Sequence, residues 1–490
     1  MADLVKDIAI KIATGIATKG AGQVLGIVVT AIIGESTTPP AYFETVYTQI
    51  QSIVSTQLAK DKVNEITGLT WATAVRIDRY QQAKSKGQAN PAELEAIENR
   101  LLDSLGLLRQ EAYAIAGLPQ FLIIAGMHLA ILLEREATDT ELLLTQYIDH
   151  VTRHYEKLVA ARKAAFSTSE KKERAGRGMD TMTWYRLRWD DAITKQFREF
   201  NAYLVADLVA KRHERDYDLS DHRRAVLEEL RVNLGRPDEV VEQWKYTALP
   251  VKGLSGIELI QNKTGLEMIH IPAGEFLFGP DSRRQTLPEF WISKTPVTKA
   301  HYMRYIVAAG KSVPWKNGVI SKGEENFPMD VNNWNSATTY CDWASEATGQ
   351  NLRLPTEMEW EKAARGTDGR VYPWGNDYLL EHCNLQEFHM RGEHFEKSNT
   401  VKAVTHFSPQ GDSPYGCVDM LGNLSEWTGT VEPNPRNPNN RRLDLIILKG
   451  MYLNYAPGIR GHMPYLWHRL TTEVSSPTAL YSGFRVVLSG

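Results

Sequence analysis

Three groups of side chains in this 490-residue chain have types and spacings suited to chemistry, and each has a structural reading beside it. His150, His154 and Glu156 follow an H-x-x-x-H-x-E spacing, which on a helix sets three metal-ligand types along one face. Glu357 and Glu361, flanked by Arg353 and Arg365, are paired carboxylates of the kind general acid–base catalysis uses. The same four residues make a partly buried charge network, which is the expected role. The third group lies between Leu448-Lys449-Gly450 and Gly483-Phe484-Arg485, two ends that read as fixed framework. Between them stand Met451, Tyr452, Leu453, Tyr455, His462, Met463, Tyr465, Leu466, Trp467 and His468. Tyrosine and tryptophan give large contact area at low entropic cost, so this insert reads as a ligand-binding face. The competing reading is core or loop packing, but Pro457 and Pro464 suit an exposed loop better than a buried strand.

The elements that must carry these residues divide the chain. Its length exceeds what one hydrophobic core supports, so several domains are expected. A net charge of -3 exerts no global pull on nucleic acid, and no nucleic-acid partner is expected. Cys341, Cys383 and Cys417 are the only cysteines and lack C-x-x-C spacing, which favours free buried thiols over a disulfide framework or a thiolate metal site. Asp3 and Asp7, with no small-residue cleavage site after an apolar run, argue against a secretory signal. A soluble cytoplasmic product is expected, with later release or surface action left open.

From Met1 to about Arg212 helical periodicity dominates, and the reading is an all-α bundle over residues 1–215. Val5, Ile8, Ile12 and Ile16, a Gly20-Ala21-Gly22 break and the apolar run Val24 to Ile33 read as a core hairpin or a membrane-active one. Ala114 to Leu133 is apolar on every side except Gln120 and His128, so other helices must surround it, permanently or until it enters a membrane. Amphipathic helices to wrap it are read at Tyr42–Tyr80, Ala92–Arg109, Asp139–Ala165 and Met182–Arg212. Residues 216–262 read as a charged helical linker, with Ser220 as a cap. From residue 263 to 490, short apolar runs punctuated by Gly, Pro, Asn and Trp indicate an irregular α+β domain with helices at Lys299–Ala309, Asn335–Thr348 and Glu357–Arg365.

Local words in both halves carry family likenesses. The apolar helix ending Ala125-Gly126-Met127-His128-Leu129, the stretch Tyr147 to Tyr155, Phe197-Arg198-Glu199 and Leu204 to Val209 resemble the N-terminal helical domain of the insecticidal Cry delta-endotoxins. That likeness implies a bundle whose central helix inserts into a membrane as part of a pore. In the second half, Met268 to Phe276, Thr295-Pro296-Val297-Thr298, Leu352 to Glu361, Tyr372-Pro373-Trp374-Gly375-Asn376, Asp419 to Trp427 and Gly483-Phe484-Arg485 resemble the formylglycine-generating enzyme, or sulfatase-modifying factor, domain with its C-type-lectin-like fold. The likeness implies calcium at the loop matching Asp419 to Glu426, with the carboxylates of Asp419 and Glu426 and the carbonyls of Gly422 and Leu424 as ligands. A second calcium loop would fall near Asn384 and Leu385, where its later carboxylate is not evident. Related sulfoxide synthases use H-x-x-x-H-x-E to bind iron together with an upstream histidine. No histidine precedes His128 here, so His150 and His154 read as bundle residues.

Formylglycine generation uses two closely spaced cysteines between the K/R-G-G and G-F-R words to bind copper. This chain has Tyr455 and Arg460 there, and Met451 replaces the second glycine of the first word. No copper or iron is therefore expected, and no catalysis. The divergent surface before a final G-F-R also resembles the hypervariable ligand face in variable proteins of diversity-generating retroelements. The expected function is non-catalytic recognition of a protein or glycan, coupled to a pore-forming or membrane-active helical domain. Alternatives from other classes are a metal-dependent oxidase of the formylglycine-generating enzyme and sulfoxide synthase superfamily, and an inert display protein on a helical stalk.

Overall fold

The computed structural model describes residues 42–54, 60–135, 137, 139–175, 182–203, 205–247, 249, 254–315, 318–331, 333–385, 400–441, 444–452, 465–474, 479 and 481–489. The hairpin expected within residues 5–33, and Leu453, Tyr455, His462 and Met463, lie outside them. The chain divides into two compact units, Met1–Thr247 and Ala248–Gly490.

The first unit is built around one helix. Helices α1 (Tyr42–Val54), α2 (Lys60–Ser85), α3 (Pro91–Leu108), the single turn α4 (Glu111–Ala114), α5 (Leu118–Glu134) and α6 (Thr140–Ala164) follow in order. Asn90 starts α3, its side chain accepting from the Ala92 amide while Pro91 occupies the first turn where a missing N–H costs nothing. Every residue of α5 from Leu118 to Leu133 is buried, as an all-round apolar sequence requires. The helix begins at Leu118 rather than Ala114. Gly117 and Pro119 break the run, and a Cβ at Gly117 would lie 2.2 Å from Leu108 Cδ2. Its 17 residues reach about 25 Å. Among the described residues no helix is long and apolar enough to cross a membrane.

The all-helical expectation needs one correction. Three stretches, of which the second and third were expected within a helix from Met182, form an antiparallel sheet: β1 (Phe166–Ala175), β2 (Met182–Asp191) and β3 (Phe197–Ala202). The physical reason is a period of two: Tyr185, Leu187 and Trp189 alternate with Arg186, Arg188 and Asp190, a pattern that buries one face only when extended. Leu187, Trp189, Phe200 and Ala202 pack with Leu208 and Leu219 of α7 (Val205–Asn233). Helix α7 runs without a break through residues 215 and 216, and Ser220 lies inside it instead of capping it. Gly235 and Arg236, both at positive φ, turn the chain into α8 (Pro237–Lys245). Residues 216–247 of the expected linker therefore belong to this unit.

The second unit opens with α9 (Gly256–Thr264), started by a Ser255/Glu258 capping box. Strands β4 (Met268–Ile271), β5 (Gly274–Phe278), β6 (Arg283–Leu287) and β7 (Phe290–Ser293) precede α10 (Lys299–Ala308) and α11 (Trp334–Thr348). Then come β8 (Leu352–Arg353), α12 (Glu357–Arg365), β9 (Ser425–Glu432), β10 (Leu445–Lys449), β11 (Leu470–Glu473), β12 (Ser482–Phe484) and β13 (Val487–Ser489). The three helices read from the sequence are present, and Thr356 with Glu359 forms the capping box that starts α12. One sheet runs β4-β7-β13-β8, a second β11-β10-β9-β12, and β5 pairs with β6. In the second sheet β12 lies parallel to β9, with Gly483 opposite Glu426 and Phe484 opposite Trp427. That register brings the terminal G-F-R word onto the S-E-W word.

Candidate functional site

The frame of the site is a buried ion pair. Arg485 and Glu426 are fully buried, with Arg485 Nε 3.0 and 2.8 Å from the two carboxylate oxygens. The Trp360 indole donates to Glu426 Oε2 at 2.7 Å. The guanidinium also donates to the carbonyls of Ser293 and Lys294 at 3.2 and 2.8 Å, and to those of Val418 and Asp419. One side chain thus ties the ends of β7 and β13 to the loop before β9. An uncompensated buried charge costs several kcal/mol, and this satisfied geometry avoids that.

The paired carboxylates of α12 belong to a second network. Lys449, with no exposed surface, lies 3.0 Å from Glu361 and 3.4 Å from Glu357. Glu361 also accepts from Arg365 and from the Gly279 amide, each at 2.7 Å, and Glu357 pairs with Arg469 at 3.0 Å. Burial raises the Glu357 carboxyl above its usual range while Lys449 and Arg469 pull it down. Both acids are committed to fixed cations, so the pair has the partners of a structural network and not of a proton-transfer centre.

The loop expected to hold calcium is directed elsewhere. Burial pushes the Asp419 carboxyl up to about 7, and Asn423 opposes the shift by donating to Oδ2 at 2.8 Å. Asn423 Oδ1 accepts from Asn384 at 2.9 Å, and the Asn423 amide bonds the Asn384 carbonyl at 2.9 Å. Gly422, at φ +84, approaches Asn384 so closely that a Cβ would lie 2.7 Å from its carbonyl oxygen. Leu424 is in the core. Since Glu426 faces Arg485, the two carboxylates do not share one oxygen shell, and the residues do not fit the two-carboxylate site implied by the family likeness. Among the described residues no group of three or more His, Cys, Asp or Glu side chains could hold a metal ion.

The aromatic insert splits in two. Met451 and Leu466 are 3% and 1% exposed and sit in the hydrophobic core with Trp360, Phe290 and Val487. They are removed from the expected ligand face because no ligand can reach them. Met451 holds φ +61, the left-handed backbone suited to a glycine, straight after Gly450 at φ +86. That conformation costs roughly 1–2 kcal/mol, which burial of the thioether side chain offsets.

Tyr465, Trp467 and His468 are half-buried. Tyr465 stacks on Trp467 at 4.5 Å and meets Tyr372 at 6.3 Å, while the Arg365 guanidinium lies 4.9 Å from the Trp467 ring centre. Tyr372 in turn stacks on Trp374 at 5.6 Å and meets Tyr378 at the same distance. Trp374 and Tyr378 were missed as site candidates by sequence reading. The signal was the clustering of aromatics in Tyr372-Pro373-Trp374 and Tyr378, which reads as loop pins until the fold places it beside Tyr465. Tyr452 pairs instead with Tyr481, at 6.2 Å.

All three cysteines are free and buried. Burial pushes the Cys417 thiol to about 11 and the Cys383 thiol to about 12, and raises Cys341 further. Thiols held in this state are poor nucleophiles and poor metal ligands. In the first unit, His150 stacks on Phe121 at 4.0 Å and His154 Nδ1 bonds the His150 carbonyl at 2.8 Å, while Glu156 is exposed. The H-x-x-x-H-x-E spacing therefore converges on no ligand shell.

Residues 258–489 match the family described as the Sulfatase-modifying factor enzyme 1-like domain, and residues 12–211 match the delta endotoxin, N-terminal domain. The molecule joins an N-terminal helical region to a sheet-rich, formylglycine-generating-enzyme-like domain. Among particular relatives, "Inactive C-alpha-formylglycine-generating enzyme 2" of Bos taurus is 43% identical over 154 residues, covering 31% of this chain and 45% of that protein. The protein of the same name from Mus musculus is 28% identical over 268 residues, covering 43% of this chain and 80% of the relative. "Formylglycine-generating enzyme" of Mus musculus is 26% identical over 266 residues, covering 38% and 66%. The chain thus spans less than half of the bovine relative, and its similarity includes proteins named inactive as well as ones named as the enzyme.

Proposed function

We propose that the second unit is a non-catalytic recognition domain for a protein or glycan and that the first unit acts on membranes. The observation that carries the first part is the state of the thiols: no cysteine lies between Gly450 and Gly483, and the three present are buried with raised pKa. Recognition is supported by the half-buried Tyr465, Trp467, Tyr378 and Trp374, whose aromatic surfaces are held rigid by stacking and by Arg365. The membrane role is supported by the match to the delta endotoxin domain and by the complete burial of α5 in a bundle that can store it. The test is binding of the full chain to glycan and protein arrays beside a Trp467→Ala variant. A ligand whose signal drops tenfold or more in the variant is expected, since an aromatic anchor in an interface contributes about 2 kcal/mol or more. A ligand bound equally by both proteins would remove this face from recognition.

A further inference from the structure

The interior of the first unit holds histidines where a bundle gains nothing from titratable groups. His128 on α5 and His150 and His154 on α6 are 1%, 8% and 5% exposed. Their rings join through Tyr147 and Phe121 in one file: His128 to Tyr147 at 6.1 Å, Tyr147 to Phe121 at 5.7 Å, Phe121 to His150 at 4.0 Å and His150 to His154 at 4.3 Å. His128 Nδ1 meets the Tyr147 hydroxyl at 2.6 Å. The other ring nitrogen of His128, and Nε2 of His150, are buried with no hydrogen-bond partner.

The charged surroundings are unequal. Facing His128 are Glu98 of α3, 3.6 Å away and itself paired with Arg135 at the end of α5, then Asp139 before α6, and Arg109 after α3. Around His150 stand His154, Arg109 and Arg153, with no acid among the groups that act on it. From α2 two contacts reach α5: a neutral hydrogen bond from Gln120 to Thr67, and an ion pair of Lys84 with Glu134 at the last residue of α5, more than a turn beyond His128. A proton arriving on either ring would place a charge in an apolar interior, and on His150 that charge would face other cations.

We propose that His128 and His150 form an acid switch: their protonation below neutral pH opens the bundle around α5. The switch stands on the packing alone, and only its consequence rests on the membrane role proposed above. Burial holds both rings below their ordinary range, His150 at about 3, against the opposing pull of Glu98 on His128. The closed bundle therefore binds fewer protons than the opened one. Its stability is full above about pH 6.5 and falls as the pH drops below that value, by roughly tenfold in the opening equilibrium per pH unit for His150, with His128 acting in the same direction.

The test is amide exchange of residues 118–133 in the full chain, corrected for intrinsic rates, at pH 7 and pH 5. Protection is expected to fall on the order of 100-fold or more in the native sequence, and at least tenfold less in His150→Phe, which keeps a ring against Phe121. His128→Gln, which keeps a hydrogen bond to Tyr147, is a second variant should the first fail to fold, with the same outcome expected. Equal loss in native and variant chains, or no loss at all, would overturn the switch. Dye-loaded phosphatidylcholine–phosphatidylglycerol vesicles separate the two ideas. Lost protection without leakage leaves the switch standing and overturns the membrane role, whereas leakage with protection unchanged by pH does the reverse.

Discussion

At the scale of residues, Arg485 and Glu426 explain why a stretch that reads as a motif is mostly framework. Arg485 contacts one carboxylate and four backbone carbonyls, and no part of either side chain is left for a ligand. Arg485→Met should destabilise the second unit by about 3–5 kcal/mol in urea unfolding, because Glu426 is left buried and unpaired. The double variant Glu426→Leu/Arg485→Met should cost less than the single one, and a single variant within 1 kcal/mol of native would refute the assignment. The sequence made the framework words legible because they combine rare residues in a fixed order. It could not separate Met451 and Leu466 from Tyr465 and Trp467, since all are apolar or aromatic and only the return of the chain past Tyr372 and Trp374 decides which of them are covered.

At the scale of elements, strong single signals were readable and mixed ones were not. Helix α5 shows all-round apolarity, and α12 shows a capping box, Thr356 to Glu359, that the structure contains. The sheet was missed because only β2 shows a period of two, while its partner β1, Phe166–Ala175, is polar or charged almost throughout and offers no apolar face to read. The start of α7 was blurred by the same sheet, which runs to Ala202 before the helix begins at Val205. The loop from Asp419 to Glu426 shows the limit of a motif: its letters suit calcium, yet Glu426 bonds Arg485 and Trp360, and Asp419 is bonded by Asn423. Calcium chelation with excess EDTA should leave the thermal midpoint of the second unit within about 2 °C. A shift beyond about 5 °C, reversed by adding calcium, would show that calcium supplies more than 1 kcal/mol and restore the site.

For the whole molecule, the two units carry different physical logics. The first holds its most apolar helix beneath buried histidines, a store of unfavourable contacts that acid can enlarge. The second keeps a rigid framework in which every cysteine is covered. Both matches to known families were legible from ordered local words, while the boundary after residue 215 was not, because α7 passes through it as one charged helix. Recognition without thiolate chemistry is tested most directly by assaying the purified full chain, loaded with Cu(I), for oxidation of a cysteine-containing peptide under oxygen. No formylglycine product above the protein-free background and no stoichiometric, thiol-dependent copper binding are expected. Turnover that disappears on substitution of Cys341, Cys383 or Cys417 would contradict it.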